Sequence, residues 1–186
     1  MSESVWDCSR WQRLYSSLEI RELPADSLIK ALPKPSDEDL DRYERESGFL
    51  LPLSYRAFIK VFGPGELGGD FRFRSPGYPD DSYADLGRTN AEIRAGLTET
   101  FLSFFSDPER VARMVFFCAP GGSDWIGWDP EDVRDAELRE YGIYEIGDEQ
   151  MEKVADSFPK FIEEVCLGPG NDRTFDPHGD FSDMRE

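Results

Sequence analysis

Apolar positions at helical spacing fill the stretch from Ser36 to Gly63, SDEDLDRYERESGFLLPLSYRAFIKVFG, and predict two consecutive helices joined by a tight turn. Ser36 stands where an N-cap belongs, and Asp37, Glu38 and Asp39 fill the first turn, where the positive end of the helix dipole favours carboxylates. Leu40, Tyr43 and Ser47 share one face, and Gly48 is the stop. The second helix opens with Pro52 at the position where a missing N–H costs nothing. Its apolar residues Leu51, Tyr55, Phe58, Ile59 and Phe62 keep one face until Gly63 and Pro64 close it.

The same reading extends along the chain. Trp11, Leu14, Tyr15 and Leu18 share a helical face in an extension, residues 1–35, expected to pack on the domain; Leu28, Ile29 and Leu32 form a second short apolar group before an extended LPKPS linker. GPGELGG from Gly63 to Gly69 predicts a flexible turn, and Phe71 and Phe73 alternating with Arg72 and Arg74 predict a half-buried strand. Ala84 to Arg88 reads as a short strand, followed by a helix from about Asn90 to Phe105 that a Thr89/Glu92 capping box would open. Met114–Cys118, Trp125–Trp128 and Glu140–Ile146 predict a β-meander, with PGGSD and DPEDV as its turns. Ser157 caps a last helix whose inner face is Phe158, Phe161, Ile162 and Val165, ending at Gly168. The tail, residues 169–186, is charged and expected to be mobile unless Phe175 and Phe181 dock. With helices at both ends and strands clustered between them, the fold class is α+β, an antiparallel sheet flanked by an N-terminal helical pair and a C-terminal helix.

Three of these stretches resemble the SUKH superfamily, which includes cell-wall assembly regulators and bacterial immunity proteins. They are Gly48, Phe49, Leu50, Leu51, Pro52, Tyr55, Arg56 and Phe58 after an acidic helix; the glycine-rich turn in FFCAPGGSDWIGWDP, Phe116 to Pro130; and Ser157, Phe158, Phe161 and Ile162. The resemblance spans residues 36–168 and leaves both ends outside the pattern. It implies a non-enzymatic intracellular binding module, an immunity protein masking a cognate toxin, with a regulatory or scaffold role like that of the cell-wall regulators as the alternative.

Composition adds charge. With 39 acidic and 21 basic side chains the chain carries a formal −18, which opposes binding to nucleic acid or anionic lipid and favours a cationic protein partner, here a basic toxin domain. No apolar run spans a bilayer, no secretory pattern opens the sequence, and Cys8, Cys118 and Cys166 have no metal-like spacing, so a cytoplasmic protein acting as a monomer or weak homodimer is expected. The acidic excess concentrates between Asp129 and Glu152. It reads either as a solvated surface or as a docking face, and Trp125 and Trp128, three apart on a strand, point to opposite faces. On the docking reading the contact residues are Asp124, Trp125, Trp128, Asp129, Glu131, Asp132 and Asp135, with the aromatic as anchor and the acids steering.

Catalysis finds little support in the residues. The single histidine, His178, falls in the tail, away from any Ser or Cys partner. Asp124, Asp129, Glu131 and Asp132 supply oxygens for Mg²⁺ or Ca²⁺ but match no calcium loop, which leaves a carboxylate-based metal-dependent hydrolase as the third reading; no cofactor is expected.

Overall fold

The computed structural model describes residues 6–21, 32–68, 70–79, 83–120, 124–147, 150–168 and 180–184. In chain order the elements are α1 (Cys8–Ser17), β1 (Glu19–Ile20), α2 (Asp37–Ser47), α3 (Leu53–Phe62), β2 (Gly65–Leu67) and β3 (Phe71–Phe73). There follow α4 (Leu86–Gly96), α5 (Glu99–Leu102), α6 (Pro108–Arg113), β4 (Val115–Ala119), β5 (Trp125–Asp135), β6 (Glu140–Gly147) and β7 (Gln150–Ala155). A short α7 (Phe158–Lys160) runs into a π-helix (Phe161–Cys166), and β8 (Asp180–Asp183) ends the described chain. The strands form one sheet in the order β1-β8-β2-β3-β4-β5-β6-β7, antiparallel throughout except for the β1–β8 pair, and the class is α+β.

The helical pair is capped as its sequence demands. The Ser36 side chain accepts from the Asp39 amide while the Asp39 carboxylate accepts from the Ser36 amide, and Gly48 closes α2 in the left-handed region at φ 72°. Pro52 is one residue outside α3: its backbone is extended, and its carbonyl accepts the first helical bond, from the Arg56 amide. Farther on, three expectations are corrected. Ala84 to Arg88 is no strand, because the Asp85 side chain caps the Arg88 amide and starts α4 at Leu86, leaving Thr89 inside the helix. That helix stops at Gly96, and Thr98 caps a separate turn, α5, so the expected single helix is two.

The turn expected over GPGELGG holds strand β2, paired with β3 on one side and β8 on the other. Gly65 is there for close approach: a Cβ would sit 2.3 Å from the Phe181 ring and 2.5 Å from the Ser182 carbonyl. In the tail Phe181 docks fully buried, so residues 180–183 belong to the sheet; Phe175, like Leu28 and Ile29, lies outside the described residues. Strand β5 runs eleven residues because DPEDV, expected as a turn, stays in the ladder through register shifts between Trp128 and Val133 and between Val133 and Asp135.

Period-two alternation divides the sheet between two cores. Val115, Phe117, Ile126, Trp128, Tyr141 and Ile143 face the helices α1, α3 and α7, whereas Phe116, Tyr144 and Ile146 face Phe105, Val111 and Met114. The first core is dominated by aromatic rings. Trp11, fully buried, meets Phe58, Phe62 and Phe158 edge-on and donates its indole N–H to the Ser54 carbonyl at 2.9 Å, which ties α1 to α3. Each such ring removed from water contributes about 2–3 kcal/mol. No helix among the described residues is long and apolar enough to cross a membrane.

Candidate functional site

The acidic residues nominated from sequence do not form one surface. Asp129 ends the inward half of β5 with its carboxylate 1% exposed. Arg113 donates to it from Nε at 2.7 Å and from Nη2 at 3.0 Å, Arg110 from Nε at 2.9 Å, and the Glu131 amide at 3.1 Å. Burial pushes the Asp129 carboxyl up, but the Arg113 hydrogen bond, the Glu131 amide and the charges of both arginines outweigh it and hold the group below its ordinary 3.8. Asp132 is a second hub. It accepts from Arg134 at 2.7 Å, the Tyr144 hydroxyl at 2.9 Å and Lys153 at 3.2 Å, and these partners likewise overcome its burial and depress its pKa.

The remaining nominees separate as the pleat dictates. Trp128 is fully buried, stacked on Phe117 at 4.0 Å, and so is core and not an exposed anchor. Trp125, on the opposite face, is half-buried against the second core, and Asp124 is half-buried beside Gly147. Glu131 is 73% exposed, and Asp135 is exposed with its carboxylate receiving the Glu137 and Leu138 amides at 2.9 Å each. No group of three or more His, Cys, Asp or Glu side chains is placed to hold a metal ion among the described residues, and His178 lies outside them. The oxygens of Asp129 that a cation would need are occupied by guanidinium groups.

Asp135 leads to a feature the sequence reading missed, a cleft of about 540 Å³. Its walls come from four separated segments: Trp6 and Arg10 at the start of α1, Leu53 and Ser54 at the start of α3, Arg134 to Glu140 around the β5–β6 turn, and Asp156 to Glu164 along α7 and the π-helix. The turn is rigidly built. Asp135 caps it from within, Arg139 takes the left-handed conformation at φ 56°, and the Leu138 carbonyl accepts the Leu53 amide at 3.1 Å, fixing the turn to α3. The π-helix keeps an i→i+5 bond from the Leu167 amide to the Ile162 carbonyl, and its exit needs Gly168, where a Cβ would lie 2.0 Å from the Glu164 carbonyl.

Glu140 is the buried acid of this cleft. It is 5% exposed, the Ser54 hydroxyl donates to Oε1, and the Phe158 amide at the start of α7 donates to Oε2 at 2.9 Å. Burial pushes its carboxyl up from 4.5, with the Ser54 and Phe158 hydrogen bonds only partly offsetting it. Local pattern could not have found this group, since its partners lie 86 residues upstream and 18 downstream.

The arrangement offers no nucleophile with an activating base and no assembled metal centre among the described residues; what it offers is a charged, partly apolar cleft beside an acidic rim. A search of the curated proteins finds no match. A scan against family models matches residues 34–164, from the linker before α2 into the π-helix, to the SMI1 / KNR4 family (SUKH-1). That span covers well over half of the chain and includes the helical pair, the central strands and three of the four segments that wall the cleft, and the chain therefore belongs to the SMI1 / KNR4 family (SUKH-1).

Proposed function

We propose that this chain is a non-enzymatic protein-binding module of the cytoplasm, an immunity protein that neutralises a cognate basic toxin by direct contact. Family membership supports an immunity or regulatory module as the coarser statement. The observation that carries the finer one is charge: a formal −18 on 186 residues makes the surface a receptor for a cationic protein and a poor one for nucleic acid. The exposed acids around Glu131 and Glu137 accelerate encounter, and the cleft beside them supplies short-range contacts that slow dissociation.

Affinity capture with the purified chain, followed by co-expression, tests this. One stoichiometric basic partner, released by raised salt and toxic to cells unless this chain is co-produced, is the expected result. Several unrelated partners with no toxicity to relieve would overturn it in favour of the regulatory or scaffold reading, which the same family membership supports.

A further inference from the structure

The cleft has a chemistry of its own. Five carboxylates and three cations line it, so its balance is acidic even within an already acidic chain. The cations are themselves engaged by neighbouring acids: Arg10 pairs with Glu163 at 3.3 Å and lies over the Trp6 ring, Arg134 pairs with Asp132 and Asp156, and the Lys160 charge acts on Asp156. Glu140 receives only neutral donors, the Ser54 hydroxyl and the Ser54 and Phe158 amides. A carboxylate has about four acceptor positions, and these three donors leave one of them over. Burial pushes its carboxyl up, as it does for an acid short of cationic company. Apolar surface stands beside it in Leu53, 37% exposed, with Leu138 and Trp6 half-buried.

We infer that the cleft is the receptor for a cationic side chain, arginine foremost, presented by the protein partner, with Glu140 taking the guanidinium and Leu53 and Leu138 flanking its aliphatic stem. The volume is within the ~300–1,000 Å³ typical of ligand sites and accommodates one long side chain with its flanking backbone. Arginine suits it better than lysine, because a planar fork of five N–H donors can reach Glu140 and a neighbouring acid of the wall together, and its weaker hydration lowers the cost of entry. The acidic balance disfavours phosphate or carboxylate ligands. The π-helix contributes by placing two consecutive exposed acids, Glu163 and Glu164, along one wall.

The inference deepens the binding-module reading and rests on it, but it is tested without the partner. The full chain is titrated with the capped tripeptides acetyl-Gly-Arg-Gly-amide, its Lys counterpart and its Glu counterpart, followed by amide and indole resonances. The Arg peptide is expected to shift the Trp6 indole and the Ser54 and Leu138 amides with millimolar affinity, the Lys peptide more weakly and the Glu peptide not at all. Glu140→Gln should weaken Arg binding about tenfold, the scale of one lost charge-assisted pair. Because Glu140 also holds Ser54 and Phe158, the exposed Glu164→Gln serves as a second variant that leaves the fold intact and should weaken binding two- to threefold. Equal shifts from the Arg and Glu peptides, shifts confined to residues outside the cleft, or Arg affinity unchanged in both variants would overturn the inference. If a captured toxin binds the Glu140→Gln chain as tightly as the parent, the cleft inference falls while the immunity reading stands. Arg-peptide binding by a chain that relieves no toxicity would cost the immunity reading alone.

Discussion

Asp129 and Glu140 are buried carboxylates on adjacent strands, and their environments push them in opposite directions. Asp129 is enclosed by two arginines and an amide and is held below its ordinary range; Glu140 meets a hydroxyl and two amides and is pushed above it. Burial alone disfavours the ionised form of both, so the difference is the partners. Two guanidinium groups make Asp129 part of the fold, binding α6 to β5. Neutral donors leave Glu140 holding the start of α7 while its charge stays unmatched. In a chain this acidic, a carboxylate's place in the structure is decided by what faces it, and an unmatched one beside a cleft is the better candidate for contact with a cation.

The largest effect should come from removing Asp129. Asp129→Asn leaves Arg110 and Arg113 without their shared partner, and since both remain about a quarter to a third exposed the cost falls at the low end for a broken buried pair, about 3 kcal/mol. Urea melts would record it, with faster hydrogen exchange in α6. Because the folded pKa is depressed, this stabilisation is present above the unfolded 3.8 and is lost as pH falls through the lower folded value. The gap between parent and variant should therefore close in acid; a constant gap would show that the charge of Asp129 is not what stabilises it.

Glu140→Ala should cost about 2 kcal/mol by leaving the Phe158 amide and Ser54 hydroxyl buried without an acceptor, and Ser54→Ala about 1 kcal/mol. Here the pH dependence has the other sign. A raised folded pKa means that ionised Glu140 costs stability above it, and that this is recovered as pH falls toward the unfolded 4.5. The parent should gain on Glu140→Gln between neutral pH and 4.5, the reverse of the Asp129 comparison and in a higher window. Matching signs for the two acids would break the contrast between them.

This contrast marks where the sequence was legible. Caps and periodicity located α1, α2, α3, β4 and β6, because a Ser36 with Asp39 or a Gly48 acts within one turn. They misplaced the start of α4, where Asp85 out-competed Thr89 as cap, and they passed over β7, which continues the meander from β6, and over β2 and β8, short strands that pair with each other across more than a hundred residues. The acidic run from Asp129 looked like one surface because its neutralising cations, Arg110 and Arg113, lie 19 and 16 residues away. The cleft was invisible for the same reason, its walls being assembled from four parts of the chain.

The smallest effect on stability should come from the acids left over once the buried ones are accounted for. Glu131 is 73% exposed and meets Arg113 only at 3.4 Å, an interaction of about 0–1 kcal/mol. Glu137, also exposed, contributes its backbone amide to the turn. Glu131→Lys with Glu137→Lys changes the local charge by four while altering stability by less than ~0.5 kcal/mol, a combination that Asp129 or Asp132 could not provide because charge reversal there dismantles an ion-pair hub. With a basic partner, rapid-mixing measurements over a range of salt should show a slower association rate and a flatter salt dependence, with the dissociation rate nearly unchanged. The reverse outcome, an altered dissociation rate at constant association rate, would move Glu131 and Glu137 from steering into the contact itself and make the exposed face, not the cleft, the place where the partner is held.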